Sequence, residues 1–468
     1  MELLIETLHI YHTNDLHSHF DQWPKITKYI TDMRQLHSNQ KEEMLLIDIG
    51  DHMDRFHPIS EADYGKTNIQ LLNRLDYDYV TIGNNEGITL SYDQLDSLYD
   101  EANFKVVLGN FFDRNGNQPS WAIPFDIHTL PSGVKIGIIG LTVHYISLYK
   151  LLGWNVTDPF KELKKLVDQL SDKTDILMLL SHLGINEDEK IAQQFPEVDI
   201  ILGGHTHHLL DNGKLIKNTL LCGAGKYGNY IGHVKLQIDT EKRKIHSRKA
   251  NVIQTNELAE SNRTKDELDI LYKNSINALN RDIIAELDDD LLIDWHKESS
   301  FSTLLARALK EWCGGEISMV NAGVLLDSLP KGIVTRGDLH RVCPHPINPC
   351  KVMVRGDHLK EIIIQAYTEQ MENLEIKGLG FRGKLMGKMI YDGVQIKSTI
   401  LSDGLKHVAD IKINHEDIDP GRLYSVATID MFTFGMLFPE IRDAKDKKYY
   451  MPELLRDVLA IALKKGSL

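Results

Sequence analysis

A chain of 468 residues is longer than one hydrophobic core comfortably fills, so two domains are expected. With 42% hydrophobic and 26% charged residues, and no apolar run of membrane-spanning length, the composition argues against a disordered chain and against membrane insertion. A formal charge of -14 repels polyanions and argues against a nucleic-acid polymer as partner; small phosphorylated molecules stay open, because bound cations reverse a local field.

The first residues, MELLIETLHIYHTND, carry acidic side chains where a secretory signal carries positive charge, and no small-residue cleavage site follows. A cytoplasmic protein is therefore expected. Up to about residue 250, short Val/Ile/Leu-rich runs alternate with helix-like segments, the pattern of sheets covered by helices. TLHIYHTND (7–15), MLLIDIGD (44–51), DYVTIGNN (78–85), DILMLLSH (175–182) and DIILGGHTH (199–207) each read as a buried strand closing on residues of metal-ligand type. VKIGIIGLT (134–142) reads as a buried strand without that ending. Ligands gather at the carboxyl edges of such strands, so the five endings predict one shared site. Gly50, Gly83, Gly203 and Gly204 stand beside these residues, where the missing Cβ permits tight turns. Of 21 histidines, 15 precede residue 250, which places the chemistry in the first half of the chain.

Residues 257–287 are charged, with Leu268, Leu271 and Ile276 at helical spacing, and predict a connecting helix. The segment SSFSTLLARALKEWCGG predicts a helix capped by Ser299 or Ser300 and closed by Gly314. Four cysteines, Cys222, Cys313, Cys343 and Cys350, are too few and too irregular for a disulfide framework, and reduced thiols are expected.

The polar strand ends supply seven candidate metal ligands: Asp15, His17, Asp51, Asn84, His182, His205 and His207. One metal rarely needs so many. A carboxylate can bridge two cations about 3.5–4 Å apart and the pair can lower the pKa of a water between them. Asp51 is the natural bridge.

The order NDLH, GDH, GNNE, SHLG, GGHTH resembles the calcineurin-like metallophosphoesterases. The two-domain layout resembles their bacterial 5'-nucleotidase and 2',3'-cyclic phosphodiesterase branch, and residues 321–363 resemble that branch's substrate-binding domain. The resemblance implies an α/β fold: a four-layer α/β/β/α metallophosphoesterase sandwich with a second α/β 5'-nucleotidase-type C-terminal domain. Residues 1–255 would be the catalytic domain, 256–286 the connecting helix and 287–468 the substrate-specificity domain. It further implies a dimetal hydrolase of phosphate esters, nucleotides or related small molecules, held in the cleft between domains. In such enzymes one metal takes the residues matching Asp15, His17 and His207, the other those matching Asn84, His182 and His205, and Asp51 bridges. A metal-bridging hydroxide then attacks phosphorus in line. Mixed nitrogen and oxygen ligation suits manganese, zinc, iron or cobalt.

The family pattern Gly-Asn-His-Glu-Phe-Asp places a catalytic His and its orienting Asp where this chain has Asn85 and Ile88. General acid–base help contributes about 10²–10⁴-fold, so its loss raises the barrier by roughly 3–5 kcal/mol unless something replaces it. Three readings follow. Another acid serves, His52 or His19; or the substrate's leaving group needs no proton; or the protein is a non-catalytic metal- and small-ligand-binding relative. Asn85 can still donate a hydrogen bond to a phosphoryl oxygen, so Asn85 and His52 are the candidate catalytic residues.

In the second domain the stretch that usually reads Asn-Gly-Gly-Gly-Ile-Arg is NAGVLL, with Leu326 at the arginine place. Arg336 in TRGD and Arg382 in GFRGK are candidate anion contacts, and Phe381, Phe434 and Phe438 are candidate platforms for a base.

Overall fold

Side chains alternate across a strand with a period of two, and in the first half of the chain both sides of several strands are apolar, so both faces must be covered. A computed structural model describes residues 4–400 and 406–466 and shows how. The chain divides into two units, Met1–Ser275 and Ile276–Leu468. The elements that position the candidate ligands are, in chain order, β1 (Ile5–Thr13), α1 (Trp23–Gln40), β2 (Glu43–Asp48), β3 (Tyr79–Val80), α2 (Asn84–Thr89), β4 (Lys135–Thr142), β5 (Ile176–His182) and β6 (Ile200–Gly203).

β1, β2 and β3 are parallel neighbours within a seven-stranded sheet, and β4, β5 and β6 within a six-stranded one. Leu8, Ile10, Leu45 and Ile47 of the first sheet meet Ile138, Met178, Leu180, Ile200 and Leu202 of the second in one buried cluster. The intervening Ile139, Leu141, Leu177, Leu179 and Ile201 face the other way and pack on Leu163, Leu166 and Leu170 of the helix Pro159–Leu170 and on Ile191 of the helix Ile185–Gln194. On the far side of the first sheet α1 buries Trp23, Ile26 and Ile30. The result is the expected α/β/β/α sandwich, with the carboxyl ends of β1–β3 and of β5–β6 carrying the candidate ligands.

Two expectations are corrected. The strand through DYVTIGNN stops at Val80, and Asn84 opens the helix α2 instead; Glu86 accepts the Gly83 N–H at 2.9 Å and so caps that helix. The connecting helix spans Asn262–Arg281, with Leu268, Leu271 and Ile276 half-buried, and the chain then switches to a strand, Ile283–Leu287, paired antiparallel with Gly332–Thr335. Two adjacent isoleucines with alternating burial favour the pleated form there.

In the second unit the helix Ser300–Cys313 is capped by Ser299, which accepts the Ser302 N–H, and ends at Gly314 with φ 61°. It packs on a five-stranded sheet through Phe301, Leu305 and Leu309. Among the described residues no helix is long and apolar enough to cross a membrane.

Candidate metal centre

Just beyond β1, Asp15 and His17 adopt left-handed backbone angles, with φ of 51° and 50°. Asp51 beyond β2 (52°), and His205 and His207 beyond β6 (72° and 59°), do the same. Five of the seven expected ligands thus occupy a conformation that L residues avoid, at about 1–3 kcal/mol each. Glycine makes room around them. Gly50 has φ 88°, and a Cβ on it would lie 2.4 Å from the Gly83 nitrogen. Gly83 has an ordinary φ of -99°, but a Cβ there would fall 2.0 Å from Asp51 Oδ1. Its role is close approach rather than a turn.

Two clusters result. Asp15, His17 and His207 offer ligand atoms all within 4.8 Å of one another, and so do Asp51, His182 and His205. Asp15 Oδ1 lies 3.8 Å from His17 Nε2 and 3.4 Å from His207 Nε2. Asp51 Oδ2 lies 3.7 Å from His17 Nε2 and 3.5 Å from His182 Nε2, so it reaches toward both clusters, as a bridging carboxylate must. His182 Nδ1 donates to the Ile49 carbonyl at 2.7 Å, which leaves the Nε2 lone pair aimed at Asp51.

The donor set fits divalent cations on independent grounds. His182 Nε2 and Asn84 Oδ1 are buried and find no hydrogen-bond partner, a costly state unless a cation accepts their lone pairs. Asp15 and Asp51 are fully buried carboxylates. Burial alone would raise both, yet His207 and His182 hold Asp15 below the usual carboxylate range, and His182 and His17 do so for Asp51. Burial would lower His182, but Asp51 and Asp15 push it up to about 10. The pocket demands positive charge.

Asn85 is 7% exposed and turned inward. Its backbone N–H donates to Asp51 Oδ1 at 2.7 Å, and its side-chain amide lies 2.5 Å from His17 Nδ1. A neutral His17 offering Nε2 to a cation carries its proton on Nδ1, so the amide oxygen must be the atom facing the ring. Asp54 Oδ2, 3.4 Å from the same Nδ1, is a second acceptor. Asn85 therefore packs on a candidate ligand instead of presenting its amide to a phosphoryl group.

His52 departs furthest from expectation. It is 3% exposed, Asn68 Nδ2 lies 3.2 Å from its Nδ1, its Nε2 is buried without a hydrogen-bond partner, and the residue lines a cavity of about 10 Å³ with Asp48, Met53, Ile69, Leu72 and Glu86. Burial pushes it down to about 3. A ring held neutral by burial is no general acid at neutral pH. The His19 ring lies against Tyr227, tilted by 38° with centroids 3.8 Å apart.

The second-unit candidates divide. Phe438 is fully buried against Phe432, and Phe381 is 4% exposed and stacked on the buried His345, so neither offers a free face to a base. Phe434 is 37% exposed beside Tyr449. Arg336 is tied to Asp282 at 2.7 Å and to Asp457 at 3.2 Å, a helix-start clamp that engages its guanidinium. Arg382 donates its backbone N–H to His345 Nδ1 at 2.9 Å and its guanidinium to the Phe381 carbonyl at 3.2 Å.

Residues 8–209 match the calcineurin-like phosphoesterase family and residues 283–436 the 5'-nucleotidase C-terminal domain. The metallophosphoesterase YunD of Bacillus subtilis (strain 168) is 51% identical over 456 residues, 97% of this chain and 98% of its own. The chain belongs to the calcineurin-like phosphoesterases. It is similar also to the trifunctional nucleotide phosphoesterase protein YfkN of the same organism, at 25% identity over 97% of this chain and 34% of YfkN. The fold is that of the NAD nucleotidase of Haemophilus influenzae, with a TM-score of 0.69 at 16% identity over 99% of this chain and 97% of that one. This phosphoesterase is accordingly a metal-dependent phosphoric ester hydrolase.

Three residues at the site escaped the sequence reading. Asp54 lies three positions after Asp51, a spacing that could have drawn notice. Glu86 accepts the backbone N–H groups of Asp51 and Met53, both at 3.0 Å, and so ties the loop after β2 to α2. Tyr145 follows β4, the strand without a ligand ending, and its hydroxyl lies 3.1 Å from His205 Nε2. No local pattern announces it.

Proposed function

We propose that this phosphoesterase hydrolyses small phosphate compounds whose departing group leaves without a proton from the protein. Nucleoside di- and triphosphates and related anhydrides are preferred over simple monoesters. The inward turn of Asn85 carries the reading: at the place where the family pattern has a substrate-facing His, this chain buries an amide against His17. The buried, neutral His52 supports it by removing the nearest alternative acid.

In this reading Asp15, His17 and His207 would hold one divalent cation, Asn84, His182 and His205 the other, with Asp51 between them. Bound there, such ions supply a water of lowered pKa and neutralise charge on the phosphoryl oxygens. The chain's own part is positioning. Asp54 and Asn85 hold the His17 ring by its Nδ1, Ile49 holds His182, and Tyr145 borders the site beside His205, 38% exposed. Residues 1–255 would carry catalysis, 256–286 connect, and 287–468 select the substrate. The match of 283–436 to a 5'-nucleotidase domain, and the name of YfkN, support a nucleotide substrate. A cytoplasmic site of action is supported by four cysteines that are all buried and unpaired.

Phosphate release from nucleotides, nucleotide sugars and a series of aryl phosphates, with Mn²⁺ and with Asp51→Asn as control, tests this. Rates should fall steeply as the leaving group becomes more basic, and Asp51→Asn should abolish them. A flat dependence on leaving-group basicity would reveal a protein acid at work and defeat the proposal.

A further inference from the structure

The seven expected ligands use four of the 21 histidines. Three others, His9, His37 and His233, meet on the opposite face of the seven-stranded sheet from the sandwich core, beneath the end of α1. His9 lies on β1 between Leu8 and Ile10, whose side chains enter that core, so His9 faces α1. His37 stands in the last turn of α1, and Glu42 follows just before β2.

His37 and Glu42 are held together by the helix end itself. Lys41 turns the chain with φ 56°, and the Glu42 N–H returns to the His37 carbonyl at 3.0 Å. In this Schellman turn the residues at the two ends of the long hydrogen bond are neighbours, usually as an apolar pair. Here they are an imidazole and a carboxylate. Glu42 Oε2 lies 3.3 Å from His37 Nδ1 and 3.1 Å from His9 Nε2. Ligand atoms about 2.0–2.1 Å from a tetrahedral zinc are roughly 3.3–3.4 Å apart, so both separations are those of a coordination edge.

The outer contacts set the ring protons. His233 Nδ1 lies 3.3 Å from Asn251 Oδ1 and carries its proton there, so His233 Nε2 accepts from His9 Nδ1 at 2.8 Å. His9 Nε2 is then a lone pair pointed at a carboxylate oxygen, and two lone pairs face each other across 3.1 Å. Tyr11 holds the far side of His37 at 3.0 Å. These are the second contacts that orient imidazole ligands in metal sites. His9 and His37 are each 4% exposed, whereas the Glu42 side chain is 24% exposed and opens the group to solvent.

We propose that His9, His37 and Glu42 form a third, non-catalytic site for a divalent transition-metal ion such as zinc, clamping the end of α1 to β1. The protonation states agree. Burial, with His37 beside it, pushes His9 down to about 4, so its ring is neutral beside the Glu42 carboxylate. Neutral imidazole and ionised carboxylate are what a cation takes. The His9 and His37 rings stack at 3.7 Å with 22° between planes, so an ion shared by both nitrogens tilts them apart.

The test counts metal on the full-length chain after saturation with Zn²⁺ and removal of loosely held ion, in the parent and in Glu42→Gln, His37→Gln and Asp51→Asn. Glu42→Gln should hold one ion fewer per chain than the parent, and Mn²⁺-dependent phosphate release should stay within twofold. Asp51→Asn should keep the ion that depends on Glu42, so failure of the catalytic pair changes the total and not this difference. Should His37→Gln fail to fold, the partly exposed Glu42→Gln still decides. Equal metal content in parent and Glu42→Gln would overturn the site. Turning the Asn251 amide over would then satisfy each ring nitrogen by hydrogen bonds alone.

Discussion

Asp54 has no counterpart in the seven-ligand pattern, yet its carboxylate stands 3.4 Å from the Nδ1 of His17. A carboxylate behind a ligating imidazole fixes the ring's tautomer and raises its basicity, and losing such a partner typically weakens metal binding about 10–100-fold. Asp54→Asn should therefore cost roughly that factor in Mn²⁺ affinity, read by titration of the metal-free protein, with a smaller change in kcat at saturating metal. An unchanged affinity would reduce Asp54 to a loop-building residue. At this scale the gathering of the candidate ligands was legible, because Asp, His and Asn at successive strand ends carry their chemistry in their names. What escaped were side chains whose roles come from folding alone: Asp54 and Tyr145 gain partners from elements far away in sequence. His52 misled for the converse reason, since adjacency to Asp51 says nothing about which way a ring points.

At the level of elements, α2 is pressed against the loop after β2 so closely that Gly83 admits no Cβ. An added methyl would fall 2.0 Å from Asp51 Oδ1 and 2.6 Å from His182 Cε1. Gly83→Ala should displace both side chains, lowering kcat/KM by about tenfold or more while the far-UV spectrum holds; an enzyme of normal activity would show that α2 can shift without harm. β1, β2, β5 and β6 were readable because double-sided burial leaves a continuous apolar run. β3 was overread: Thr81 and Ile82 continue the β-like composition, but Asp51 and Glu86 capture the backbone from Gly83 on and wind it into a helix. The strand Ile283–Leu287 was missed because its partner, Gly332–Thr335, lies nearly fifty residues on, beyond the reach of any local pattern.

For the whole molecule, neutral histidines are buried in both units. Burial, aided by His233, pushes His12 down to about 4, and burial with nearby Arg382 and Arg456 pushes His345 down to about 3. Both folded values lie below the unfolded value of 6.5, so the unfolded chain binds more protons on acidification. Their stabilisation is complete above about pH 6.5 and is lost as pH falls toward 4 for His12 and toward 3 for His345. Chemical unfolding in chelator should show each costing ~2–3 kcal/mol between pH 7.5 and 4.5, and His345→Gln should flatten its share of the slope. Stability independent of pH over that range would contradict the neutral assignments. The layer order was foreseeable from alternation, whereas nothing local could say which of the other histidines would be sealed away.

Each half of the candidate metal centre draws on both sheets: Asp15 and His17 leave the first and His207 the second, while Asp51 leaves the first and His182 and His205 the second. Neither half exists until the sandwich has closed. With these residues as ligands, no ion would be captured with full ligation during synthesis before residue 207 had emerged and the layers had docked, and loading would be a late checkpoint on assembly rather than its trigger.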